Sequence, residues 1–185
     1  MKSENVLSGQ IILEKAIRER LVVIRYPVWE DLYSFMRFRN ELHEEQVMCS
    51  HQEMDLPKSC DHLCQILKKL ETEKERRLFI FLDDQLVGEA NATKNYTGLW
   101  ITIGIMLSRK ARGLGLGRLV MNLLEEEARK LGSTRLSLTV WEENTVAVEL
   151  YRKIGYREVG KLPEWEPLPR GGRTGLIYMV KEILD

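Results

Sequence analysis

Residues Ala111 to Val120 read ARGLGLGRLV, with glycine at 113, 115 and 117 where an apolar stretch gives way to a helical one. Glycine loses more backbone freedom on folding than any other residue and is poorly tolerated inside helices. Three at alternate positions point to backbone that approaches something closely. A P-loop would end in Gly-Lys followed by Ser or Thr, whereas Gly117 precedes Arg118 and Leu119. A dinucleotide fingerprint begun at Gly113 needs glycine at 118, which is Arg, and one begun at Gly115 needs it at 120, which is Val. What remains is Arg112-x-x-Gly115-x-Gly117 ahead of a helix. The first turn of a helix carries unpaired amides and the positive end of its dipole. Side-chain-free positions there let a diphosphate rest on backbone nitrogen. The expected cradle is Arg112, Gly113, Leu114, Gly115, Leu116, Gly117 and Arg118, with the Arg112 side chain contacting the anion or bracing the loop.

A second set follows at Asn144 and Tyr151, seven residues apart on a helical stretch and so on one side of it. A third set is discounted. Cys60 and Cys64 flank His62, with Cys49 and His51 upstream, but His62 points off the Cys60/Cys64 face and no second ligand pair follows. Free thiols, buried or half-buried, are expected instead, and an odd cysteine count argues against a disulfide framework.

These groups need elements to hold them. At 185 residues, 44% hydrophobic and 30% charged, the chain reads as one globular domain. Its 28 basic and 28 acidic residues leave no net field to draw it to nucleic acid or a membrane. No apolar run is long enough to span a bilayer and the start lacks a signal-peptide core, so a cytoplasmic protein is expected.

Residues 8–19 have helical spacing and are expected to form a helical N-terminal extension (1–19) ahead of a single domain at 20–185. Strands are expected at 20–27, twice within 77–92 as a hairpin about Asp83-Asp84-Gln85, and at 99–107, 134–141, 156–162 and 176–183. Helices are expected at 28–42, 58–76, 115–132 and 144–155, the last two closed by Gly132 and Gly155. Residues 43–57 and the Pro- and Gly-rich 163–175 read as loops. The order implies a mixed α/β sheet.

IGIMLSRKARGLGLGRLVMNLL resembles the acyl-coenzyme A binding motif of the GNAT acetyltransferase superfamily, Arg/Gln-x-x-Gly-x-Gly/Ala. NTVAVELYRKIGY resembles that superfamily's downstream run in Asn144, Ala147, Tyr151, Gly155 and Tyr156, with Lys153 one place off. The resemblance implies an α/β (α+β) fold: a mostly antiparallel sheet of about six or seven strands with helices on both faces. It implies that the strands at 99–107 and 134–141 splay apart at their C-terminal ends. It implies acetyl-CoA as co-substrate and no metal. Pantetheine would pair with Ile105 and Leu107 like an added strand. A backbone amide near Met106 or Leu107 would stabilise the oxyanion. Asn144 and Ala147 would lie beside the cofactor, and Tyr151 would protonate the departing thiolate.

The general base is left open. Thr102 stands where family members often carry a glutamate, so Glu89 on the neighbouring strand is the substitute candidate. Glu41, Glu44 and Glu45 read as a solvated charge run. In the resembled fold, Glu164, Trp165, Glu166, Arg170 and Arg173 face the acceptor, or else cover a sheet edge. The acceptor would be an amine on a small molecule, a peptide or protein N-terminus, or a lysine. The alternative is an acyl-CoA-binding sensor or partner-binding module without catalysis, which Thr102 favours and Tyr151 opposes. An exposed edge on the C-terminal strand is compatible with a homodimer.

Overall fold

Along Leu78-Phe79-Ile80-Phe81-Leu82 the side chains alternate between two separate apolar clusters, one on each face of a sheet. The computed structural model of the chain describes residues 7–46, 53–168 and 171–183. Among these, the strands are β1 (Ile11–Ile17), β2 (Arg20–Arg25), β3 (Glu75–Leu82), β4 (Gln85–Lys94), β5 (Ile101–Leu107), β6 (Arg135–Trp141), β7 (Arg157–Pro167) and β8 (Arg173–Glu182). They form one sheet in the order β1-β2-β3-β4-β5-β6-β8-β7, antiparallel throughout except for the parallel contact of β5 with β6.

Helices α1 (Leu32–Glu44) and α2 (Leu56–Glu71) cover one face, where Phe35, Phe38, Leu63 and Ile66 pack on Phe79 and Phe81. Asp55 caps α2 by accepting from the Lys58 amide at 2.9 Å, and Pro57 sits in its first turn, where a missing amide costs nothing. Helices α3 (Leu116–Lys130) and α4 (Thr145–Lys153) pack into the cluster on the other face. Leu116, Val120, Leu123, Leu124 and Ala128 of α3 recur at helical spacing and meet Leu78, Ile80, Ala90 and Ile103 of the sheet. Full burial of one such leucine contributes about 1.5–3 kcal/mol.

Three expectations are corrected. Residues 8–19 are not helical: β1 pairs with β2 through a turn at Arg18 and Glu19, both at positive φ (49° and 64°). Cross-strand hydrogen bonds override the local helical spacing here, and neither turn residue is a glycine or asparagine that would mark a hairpin. With β1 the sheet has eight strands, not six or seven. The third concerns the C-terminal end. Glu166 and Pro167 pair with Thr174 and Arg173, so most of 163–175 belongs to long β7 and β8 arms. Strand β8 lies between β6 and β7, and the sheet edges are β1 and β7, so the C-terminal strand offers no open edge for a dimer.

Candidate active site

The contact between β5 and β6 consists of Ile101 opposite Leu136 and Thr102 opposite Ser137; beyond these the strands separate. In antiparallel pairing, alternate residues direct their polar backbone at the partner strand. Ser108 donates to the Val87 carbonyl at 2.9 Å and Asn95 to the Trp100 carbonyl at 3.1 Å, continuing the β4–β5 register. Met106 and Gly104 fall in step with these, so their backbone groups belong to β4. Ile105 and Leu107 fall out of step and turn theirs into the gap left by β6. The expectation for Met106 is thereby corrected: its amide is committed to the Glu89 pair, and its side chain points to the α1 side.

The glycine turn closes this gap at its mouth. Gly113 and Gly115 adopt φ of +73° and +79°, a left-handed conformation that L side chains resist, and nothing lies within 4 Å of where a Cβ would project. Gly117 has a different reason. A Cβ there would come 3.0 Å from Leu150 Cδ2, so this glycine lets α3 pack against α4. The Arg112 amide donates to the Arg109 carbonyl at 3.2 Å and drops out of the cradle. From Gly113 through Arg118 the amides have no backbone acceptor among the described residues, and Leu119 is the first to donate, to the Gly115 carbonyl.

The Arg112 side chain is the brace. Its Nε and Nη2 donate to the Leu107 carbonyl at 3.2 and 3.1 Å, and Nη2 also meets Glu45 Oε2 at 2.6 Å. Glu45 Oε1 accepts from the Arg109 amide at 2.8 Å, and Glu41 pairs with Lys110 at 3.2 Å. Glu41 and Glu45 are therefore ties from α1 to the glycine turn rather than a solvated run. Glu44 stays exposed and helps line a groove of about 670 Å³ with Tyr33, Met36, Arg37, Asn40, Glu41 and Lys110.

On α4, Asn144 is the N-cap, accepting from the Ala147 amide at 3.2 Å. Its carbonyl oxygen is thus spent inside the chain, and its contribution is to fix the start of the helix that carries Tyr151. Tyr151 is buried, with its ring 5.9 Å from that of Tyr156. Its hydroxyl makes no hydrogen bond among the described residues, and burial pushes its pKa up to about 12. The Tyr156 hydroxyl is sealed without a partner, and burial followed by nearby Glu125 raises its pKa further.

The α1/α2 face of β3–β5 carries a buried network that periodicity did not announce. Glu89, 1% exposed, is gripped by Arg39 at 2.6 Å and Arg77 at 3.0 Å. Arg77 continues to Glu75 at 2.6 Å, and Thr93 donates to Glu75 Oε2 at 3.0 Å. Burial pushes the Glu75 carboxyl up, but Arg77, Thr93 and Lys69 outweigh it and hold its pKa below the usual carboxylate range. Glu89 was expected as a base. Each of its oxygens is instead engaged by an arginine.

Other expectations land as follows. Arg173 donates to the carbonyls of Glu164 at 2.7 Å and Trp165 at 3.1 Å, bracing the β7–β8 arm, while Trp165 is exposed and Glu166 half-buried. Cys60 is half-buried and Cys64 exposed, both free thiols, and His62 packs edge-on to Phe35 with a pKa lowered by burial. Cys49, His51 and Arg170 lie outside the described residues. Among the described residues no helix is long and apolar enough to cross a membrane.

Residues 30–156 match the sequence profile of the acetyltransferase (GNAT) family. The chain belongs to that family. Solved structures show its fold widely. A GNAT-family acetyltransferase from Streptococcus pneumoniae is 23% identical, superposes with a TM-score of 0.76, and covers 88% of this chain and 99% of its own. The ribosomal-protein-alanine N-acetyltransferase of Brucella melitensis is also 23% identical, with a TM-score of 0.74 over 86% and 99% of the two chains. RimL, the ribosomal L7/L12 alpha-N-protein acetyltransferase, determined with coenzyme A, reaches a TM-score of 0.79 at 14% identity, over 94% and 98%. No curated protein matches the chain in sequence.

Proposed function

We propose that this GNAT-family chain is an N-acetyltransferase that moves the acetyl group of acetyl-CoA onto a primary amine by direct attack. The observation that carries the reading is the joint geometry of the gap and the turn. Ile105 and Leu107 offer backbone groups where β6 has left, and the free amides of Gly113–Arg118 stand at the mouth. Pantetheine amides pair with Ile105 and the Leu107 N–H, the Leu107 carbonyl being already held by Arg112. The diphosphate rests on the turn, and Arg118, exposed in the first turn of α3, adds charge.

The amine lone pair attacks the thioester carbonyl. The gap-facing N–H of Ile105, with pantetheine on the Ile105 carbonyl and the Leu107 N–H, receives the oxyanion. The C–S bond breaks, and the thiolate takes the Tyr151 proton, which a phenol of pKa about 12 still carries at neutral pH. The new amide's surplus proton passes to water, since both Glu89 oxygens are held by arginines, and water returns a proton to the Tyr151 phenolate. The acceptor is an amine on a small molecule, a peptide N-terminus or a lysine.

Calorimetric titration with acetyl-CoA, then release of free thiol across pooled amines, tests the reading. Binding with amine-dependent thiol release is the expected result. Binding without release from any pool supports the sensor alternative, which the arginine-held Glu89 favours. No binding refutes both.

A further inference from the structure

We infer that the side-chain oxygen of Asn91 receives an N–H of the acceptor amine and aims its nitrogen at the thioester. The inference rests on the acetyltransferase reading above. Asn91 lies on the α1/α2 face of β4, directly opposite Gly104 of β5. Gly104 follows the last β5–β6 contact at Thr102 by two residues, which places it at the apex of the gap. Its missing side chain makes room for the Asn91 amide: a Cβ at 104 would stand 2.6 Å from Asn91 Oδ1.

Hydrogen-bond direction decides which end of the amide faces Gly104. Glu75, an ionised carboxylate, can only accept, so the Thr93 hydroxyl must give it the proton at 3.0 Å. Thr93 Oγ1 is then left to accept, and Asn91 Nδ2 donates to it at 2.8 Å. Arg77 and Lys69 keep Glu75 charged and in place. The far end of this relay is therefore an oxygen. It receives no hydrogen bond among the described residues and is not sealed from solvent.

A neutral carbonyl oxygen suits an attacking amine. It accepts one N–H and orients the nitrogen without protonating it or removing its lone pair.

The test measures thiol release by the full chain with acetyl-CoA and either n-butylamine or trialanine amide, beside hydrolysis measured without amine. Asn91→Leu is expected to lower kcat/KM for the amine about thirtyfold. Acetyl-CoA affinity and the hydrolysis rate should stay within about twofold. Thr93→Val, which frees the amide to turn over, is expected to give a smaller loss, and Thr93→Ser to restore wild-type kinetics. Unchanged amine kinetics in Asn91→Leu, or a parallel fall in hydrolysis and acetyl-CoA binding, overturns the role. If Asn91→Leu does not fold, equal amine kinetics in the two Thr93 variants overturns it. A wild-type chain that binds acetyl-CoA yet never releases thiol with amine fails the acetyltransferase reading itself, and this inference with it.

Discussion

Toward α3, β4 and β5 present Ala90, Ala92, Ile101 and Ile103; toward α1 and α2 they present Glu89, Asn91, Thr93, Thr102, Gly104 and Met106. The first face is sealed by apolar contact and gives the gap a stiff floor. The second buries charge and amide groups, whose desolvation only pairing can offset. A well-packed apolar layer would stabilise the sheet as well, so the difference teaches where the molecule handles polar matter. The apolar face holds strand positions, and the proposed reaction would meet its polar reactant on the polar face.

The sharpest way to break this comparison is to remove the centre of the polar face. Glu89→Ala leaves the half-buried Arg39 and Arg77 without their shared counter-ion, Arg77 keeping Glu75, and is expected to cost about 3 kcal/mol of folding stability. Urea unfolding would show it; a loss under about 1 kcal/mol would mean the network is slack. Glu89→Gln asks a different question. If Glu89 were the base, the basic limb of the pH profile would change. As a counter-ion it leaves kcat/KM rising with pH toward the pKa of the amine itself, because the neutral amine is what reacts.

Tyr151 probes the opposite face. Tyr151→Phe is expected to lower kcat about a hundredfold while acetyl-CoA affinity moves less than about twofold, the split expected when only a transition-state proton is lost. Equal kinetics in the two proteins would remove the hydroxyl from the reaction.

The two faces also differ in how far they could be read ahead of the structure. The glycine turn and the Asn144–Tyr151 spacing were legible because backbone conformation and helical pitch are local. The polar face joins residues far apart: Arg39 and Glu89 are separated by 50 positions, Arg112 and Glu45 by 67. No period marks such pairs. A faint signal did exist in Glu89, Asn91 and Thr93, which alternate with alanines on a strand buried on both sides. Strand β1 reads as helix for a related reason: Ile12 and Ala16, and Leu13 and Ile17, recur at helical spacing, and its turn at Arg18 and Glu19 lacks the usual hairpin residues.

Alkaline titration gives a smaller effect. Tyr151 has a folded pKa above its unfolded value near 10, so its stabilising share is complete below pH 10 and is lost as pH rises toward 12. The share is about 3 kcal/mol, from two pH units at roughly 1.36 kcal/mol each. Tyr26 and Tyr156 are raised in the same sense, so stability should fall steeply in that window, and less steeply in Tyr151→Phe. A curve of equal slope in both proteins would mean that the Tyr151 ring is less buried than its packing indicates.

The smallest effects come from the glycines and separate two reasons for the same residue. Gly115→Ala forces a side chain onto a φ of +79°, costing about 1–2 kcal/mol, and places a methyl in open space beside the free amides. Acetyl-CoA affinity should fall beyond what the stability loss explains. Gly117→Ala keeps helical backbone and needs only Leu150 to give by a few tenths of an ångström, so stability should change by less than about 1 kcal/mol. Any loss of affinity in Gly117→Ala should then follow the shift of α4 and appear in kcat as well, because the displaced helix carries Tyr151. If both variants weaken acetyl-CoA equally with kcat intact, α4 is not coupled to the turn, and the contact at Leu150 is packing alone.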